Sequence, residues 1–295
     1  MKKRNIITSV IRNVILILLM LLIVFPFVLL ISVSFSSDLS IAQNGYSLIP
    51  KEFTTAAYRY IFKNPLTILQ AYKITAIYSC IDMVLSVVLM SLIAYPLSKH
   101  DFKMKNAVNL YLYITMLFGG GLVPTYILNT QYLHLNNTMW IYILPVLISP
   151  WYIFMMRTFF KGIPYEILES ATIDGASEFR ILFQMIYPLS KPVLASIALF
   201  TLLGQWNQWY TSMLYIDDTK LYSLQYLLQK MMKDIELATS LQNGNVAVVV
   251  DNNGSIPTES TRMAMVVVAA GPVMLAFPFF QKYFARGLTV GGVKG

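Results

Sequence analysis

Charge is scarce in this sequence. Only 12% of its 295 residues are Asp, Glu, Lys or Arg, where a soluble domain carries about 25%. That deficit argues against a water-exposed globule. Cysteine is nearly absent: Cys80 stands alone, which excludes an internal disulfide and leaves the redox compartment unread. Its apolar surroundings predict a small buried thiol. The two histidines, His100 and His134, fall at the ends of apolar runs, so no metal site and no catalytic constellation is expected. A phosphate-binding loop is missing as well. The stretch "GLTVGGVKG", Gly287 to Gly295, looks like one only superficially, because no Lys followed by Ser or Thr comes directly after its second glycine of the pattern. This chain is therefore expected to bind no cofactor and to hydrolyse no ATP itself.

What is abundant is apolar surface. Hydrophobic residues make up 57% of the chain, and Asn13 to Ser37 carries no charge at all. A bilayer-spanning helix needs roughly 20 apolar residues. By length rather than periodicity, six spans are expected near 13–36, 74–98, 107–128, 138–160, 191–216 and 262–284, making an all-α polytopic membrane protein of one domain, 1–295. The first run exceeds the roughly 7–15 residues of a signal-peptide core and continues through "FPFVLLISVSF", so it reads as an uncleaved helix. With both termini in the cytoplasm the inner segments hold fourteen Lys and Arg, among them Lys2, Lys3, Arg4, Lys99, Lys103, Lys105, Arg157 and Lys161, against eight in the outer segments, the excess that the positive-inside rule requires. The net charge of +8 reflects this topology rather than nucleic-acid binding.

Two outer connections are long. The first carries "TTAAYRYIFKNP", a short helix. The last, 217–261, opens with Leu221, Leu224, Leu227, Leu228, Met231 and Met232 on one broad helical face. It then turns irregular in "LQNGNVAVVVDNNGSIPTES", where Asn243, Asn245, Asp251 and Asn252 are candidate contacts for an external protein. Two further features stand inside the spans. Asp82 is the only acid well within one, and an intramembrane ionisable group is a functional candidate by default. It reads either as a hydrogen bond within the bundle or to a partner subunit, or as an ion-coupling site. The fifth span contains Gln205, Trp206, Asn207, Gln208 and Trp209 in succession. Amides and flat aromatic faces together suit a sugar, while an interfacial aromatic belt is the alternative.

Between spans four and five, where the inner segment is 161–190, the chain reads "EILESATIDGASEFRILFQMIYPLSKP" from Glu166 to Pro192. Pro164 suits a helix start, and Gly175 can end that helix in a left-handed turn. Ser177 can cap a second helix that ends before Pro188. The result is a helix, a sharp turn and a helix, projecting from the membrane as a docking element.

At these residues the sequence resembles the permeases of ABC importers, whose "EAA" loop follows the pattern E-A-A-x-x-D-G-A with a Pro about a dozen residues on. Glu169, Ala171, Asp174, Gly175 and Ala176 match, Pro188 follows, and Ser170 replaces the first Ala. The chain is similar to the carbohydrate-uptake branch, on the side of the smaller, maltose-type partner. "GGGLVPTYILNTQYLHLNNTMWIYILP" and "LYSLQYLLQ" resemble the subgroup for complex oligosaccharides. The resemblance implies a second homologous permease and two ATPase subunits that bind ATP and Mg. It also implies an extracellular solute-binding lipoprotein and a bacterial cell membrane location. It further implies that the 161–190 segment is the coupling element docked on the ATPase. Rival classes are an ion-coupled secondary transporter and a polytopic membrane glycosyltransferase.

Overall fold

A chain with this little charge can satisfy its backbone at membrane depth only through helices, and helices are what it forms. The computed structural model describes residues 2–243 and 259–287. In chain order the helices are α1 (Lys2–Ser34), α2 (Asp38–Asn44), α3 (Ala56–Ile61), α4 (Pro65–Ser98), α5 (Lys105–Leu117), α6 (Leu122–Ile127) and α7 (Pro150–Lys161). They continue as α8 (Tyr165–Ile173), α9 (Glu178–Ile181), α10 (Tyr187–Leu189), α11 (Lys191–Trp206), α12 (Tyr210–Tyr215), α13 (Leu224–Asn243) and α14 (Glu259–Gly287). Among the described residues there is no strand; a single antiparallel bridge joins Ser36 to Phe53.

Among the described residues three helices are long and apolar enough to cross a membrane unbroken: α1, α4 and α14. The segments expected as spans 107–128 and 138–160 are instead broken. α5 meets α6 at 111°, across Phe118–Gly121, and the 3-10 turns of 139–146 meet α7 at 52°. The fifth span breaks at Asn207–Trp209: α11 is 16 residues long, about 24 Å, and α12 follows it. A reading by hydropathy length sees each of these as one apolar window and is blind to such breaks.

The chain folds as two units, residues 1–68 with 228–272 and residues 69–227 with 273–295. In the first, the stretch after α1 is pinned by Thr54 N–H donating to the Phe35 carbonyl (2.8 Å) and by stacking of Phe35 on Phe53 at 5.4 Å. The Asp38 carboxylate accepts from the Ser260 N–H at 2.9 Å, placing negative charge where the α14 dipole favours it. The core of the second unit gathers Met90, Ala94 and Leu97 of α4, Ile153, Met156 and Phe160 of α7, Ile181 of α9 and Ile197 of α11, all buried.

The amphipathic helix expected after Leu221 is α13, with Leu224, Leu227, Leu228 and Ile235 buried. Cys80 departs from expectation. It is exposed on α4, because in a membrane helix an apolar neighbourhood does not imply an inward face.

Candidate functional site

Two regions of the second unit concentrate the residues singled out in the sequence. The first is the connection from α7 to α11. Pro164 precedes α8 with extended backbone, and α8 ends at Ile173 with Asp174 as its cap. Gly175 takes φ +79°, a conformation that favours glycine. Its N–H donates to the Thr172 carbonyl and that of Ala176 to the Ala171 carbonyl, both at 3.0 Å. This is the paired closure that ends a helix on a left-handed residue. The Ser177 hydroxyl then accepts from the Arg180 N–H at 3.4 Å and caps α9.

The second helix does not stop before Pro188, as the sequence suggested. A wide π turn over Leu182–Ile186 leads into α10, which contains Pro188, and the chain turns at Ser190. Widening the turn is a common way for a helix to continue past a residue that has no N–H to donate.

This segment is held from behind and open in front. Ala171 and Ile181 are buried in the core and Ala176 packs against it. The Glu178 carboxylate accepts from Lys99 Nζ and from the Tyr95 hydroxyl, each at 2.5 Å, and Arg157 Nε donates to the Leu97 carbonyl at the end of α4 (3.0 Å). The Lys99 ammonium, then the Tyr95 hydroxyl, hold the Glu178 carboxyl below its ordinary range. On the open side Glu169, Asp174 and Gly175 are exposed, with Ile173 at 80% and Phe179 at 66% exposure. Exposed apolar side chains beside exposed acids on a hydrogen-bonded turn form a surface suited to a protein partner.

The second region is a polar network inside the bundle. Asp82 is 1% exposed. It accepts from Gln205 Nε2 at 2.9 Å and from the Ser86 hydroxyl at 3.2 Å. The other Gln205 N–H reaches the Tyr142 carbonyl at 2.8 Å. Tyr142 stacks on Tyr78 at 4.3 Å, and the Tyr78 hydroxyl donates to the backbone carbonyl of Gln205 at 3.1 Å. The partner that the sequence could not supply for Asp82 is thus Gln205, 123 positions away.

The five consecutive candidates of the fifth span do not share one surface. Gln205 and Trp206 point inward, at 5% and 7% exposure, and Trp206 lies against Tyr72. Asn207 caps α11 and is exposed, while Gln208 and Trp209 are half-buried. Of the outer-loop candidates, Asn243 ends α13, and Asn245, Asp251 and Asn252 lie outside the described residues. Among the described residues no His, Cys, Asp or Glu group is arranged to hold a metal.

The break at Gly119–Gly121 went unread in the sequence, although three successive glycines signalled it. Gly121 has φ +81°, and residues 118–121 are exposed.

A family model described as "Binding-protein-dependent transport system inner membrane component" matches residues 5–290. The chain belongs to this family. It is a permease subunit of an ABC importer, a protein of the cytoplasmic membrane and not an enzyme. The permease is 36% identical over 273 residues to the polygalacturonan/rhamnogalacturonan transport system permease protein YtcP of Bacillus subtilis, covering 92% of this chain and 93% of that one. It is 35% identical to protein LplC of the same organism over 272 residues, 92% and 90% of the two chains. Among solved structures, it matches a chain of a bacterial ABC transporter involved in the import of the acidic polysaccharide alginate. That match has a TM-score of 0.76 and 26% identity, over 95% of the permease and 97% of the other chain.

Proposed function

We propose that this permease carries oligosaccharides or polysaccharide-derived glycans into a bacterial cell. In this reading all 295 residues form one permease domain with both termini in the cytoplasm. A second, homologous permease completes the path. Two ATPase subunits bind ATP and Mg, and a solute-binding lipoprotein delivers the glycan from outside. Asn243, Asn245, Asp251 and Asn252 face that protein, and Asn207, Gln208 and Trp209 face the path. The names of the similar proteins support the substrate class.

The observation that carries the coupling role is the turn at Gly175. α8 and α9 are anchored from behind by Ala171, Ile181 and the Lys99–Glu178 tie, and they present Glu169, Ile173 and Asp174 outward. ATP-driven closure of the ATPase pair moves this element, and the core residues it shares with α4, α7 and α11 transmit the motion to the path.

The test is Gly175→Val in vesicles reconstituted with all subunits, with uptake and ATP hydrolysis normalised to permease content. A branched side chain at positive φ strains the backbone by about 1–3 kcal/mol and intrudes on the docking surface. Loss of both rates with normal membrane insertion is expected. Transport at the native rate would remove this turn from the coupling path.

A further inference from the structure

At the C-terminal end of α4 lies a groove that the coupling role leaves unused. Its volume is about 560 Å³, and it runs between α4, the connection to α5 and the start of α9. Its level in the membrane follows from α4 itself. Between Lys73 and Lys99 the only charge is Asp82. That stretch is helical up to Ser98 and about 39 Å long. A bilayer with its headgroups is about 40–45 Å thick, so Lys99 and the residues after it stand at headgroup level. Leu92 lies about 10 Å deeper along the helix, among acyl chains.

The lining is graded in the same sense. Leu92 and Pro96 of α4 supply apolar surface on the deep side, with Phe102 and Phe179 as further apolar walls. The charged residues of the groove are Lys99, Asp101, Lys103 and Glu178. Lys99 and Glu178 satisfy each other at 2.5 Å. The Asp101 and Lys103 side chains are exposed and have no hydrogen bond or ion pair among the described residues. An apolar trough at acyl depth thus ends, at headgroup depth, in one open anion and one open cation.

We infer that this groove seats one phospholipid whose headgroup carries both a phosphate and a primary ammonium. Lys103 donates to the phosphate, the Asp101 carboxylate accepts from the ammonium, and an acyl chain runs down past Pro96 and Leu92. Charge-assisted bonds of this kind are the strong ones, and basic pockets between spanning helices are known lipid headgroup sites. A choline headgroup has no N–H for Asp101, and a glycerol headgroup brings no cation to it, so each loses that contact. A soluble ATPase subunit does not reach the depth of Leu92. A helix of the second permease could cover the trough but brings no phosphate and ammonium to its rim. A lipid seated here braces α9 at Phe179, beside the Lys99–Glu178 tie. The inference needs α4 to span the membrane and does not depend on which substrate is carried.

The test uses the complete purified importer. Phosphatidylethanolamine, phosphatidylcholine and phosphatidylglycerol are titrated separately and bound lipid is read by native mass spectrometry. Phosphatidylethanolamine is expected to bind about two- to tenfold more tightly than the other two, the range of one hydrogen bond. Asp101→Asn should remove that advantage and leave phosphatidylcholine binding unchanged, whereas Lys103→Gln should weaken all three lipids. Both side chains are exposed, so neither change disturbs the core. Phosphatidylethanolamine with a photoreactive acyl chain should label peptides 92–104 and 178–182 in the native complex. Equal binding of the three lipids means annular lipid only and overturns the proposal, as does a preference that survives Asp101→Asn. Labelling confined to other peptides also overturns it, because the second permease or another protein surface then covers the groove. None of these readouts uses transport, so a failed glycan-import reading leaves the outcome unchanged.

Discussion

Asp82 shows how a single carboxylate at membrane depth is accommodated: it accepts from Gln205 and Ser86 and is shut away from solvent. Removing it strands a buried amide donor, at a cost of about 1–3 kcal/mol. Asp82→Ala should lower the thermal midpoint of the purified permease complex clearly, and Asp82→Asn, which keeps an acceptor for Gln205, should lower it less. Equal midpoints for Asp82→Ala and the native chain would show that the tie contributes nothing. Gly175 poses a different question at the same scale. A Cβ there meets nothing within 4 Å, yet φ is +79°, so within the chain the only penalty is backbone strain. Asn tolerates that conformation better than other side chains. Gly175→Asn should therefore keep the turn, and its transport rate separates the two roles of glycine. If uptake falls as far as in Gly175→Val, the close approach of a partner surface is what requires glycine. If uptake is retained, strain is what matters.

At the scale of elements, the α8–α9 segment was the most legible part of the chain, because its signals are local. Pro164, Gly175 and Ser177 each act within a few residues, and each sits where its chemistry suggests. The continuation past Pro188 was not legible, since it depends on a wide turn stabilised by burial of Leu182 and Ile186. Nor was the inward turn of Gln205 and Trp206, whose partners are brought in from α4 and from residues 139–142 by the fold. The same segment carries a pH prediction. Glu178 is held below its ordinary pKa by Lys99 and Tyr95. A lowered carboxylate stabilises the fold above its unfolded value and loses that contribution as pH falls through the folded one. Hydrogen exchange in residues 178–186, corrected for intrinsic rates, should be flat from neutral pH down to about 5 and rise below about 4. Lys99→Gln should abolish that step. The Glu178 side chain is 60% exposed, so the effect is limited to about 0.2–1 kcal/mol. Protection that is independent of pH in the native chain would remove the tie from α9 anchoring.

At the scale of the whole molecule, the exposed surface is of two chemically different kinds. Residues 10–28 of α1 are exposed on every side and wholly apolar apart from Arg12 and Asn13 at their start; lipid or another apolar helix covers them equally well. The break between α5 and α6 cannot be covered by lipid. The α5 helix closes with the Phe118 N–H on the Ile114 carbonyl, and the next bond recorded across the break is Thr125 N–H to the Gly121 carbonyl at 3.4 Å. Between these bonds the N–H groups of Gly119, Gly120 and Gly121 and the carbonyls of Phe118, Gly119 and Gly120 have no partner among the described residues, and all four residues are exposed. Unpaired peptide groups facing hydrocarbon cost several kcal/mol each, so this stretch must meet water or protein. The permease therefore requires something on that side that α1 does not require. Gly120→Cys in a Cys80→Ser background should react with a membrane-impermeant thiol reagent in vesicles, while Leu18→Cys stays silent. Co-assembly with the second permease should slow the reaction at position 120 at least several-fold if that subunit closes over the break, and leave it unchanged if the break faces an open aqueous path. Reaction at Leu18→Cys with silence at Gly120→Cys, in the chain alone and in the complex, would mean that hydrocarbon covers the break and water reaches α1. The pairing of this face with a second permease would then lose its physical basis.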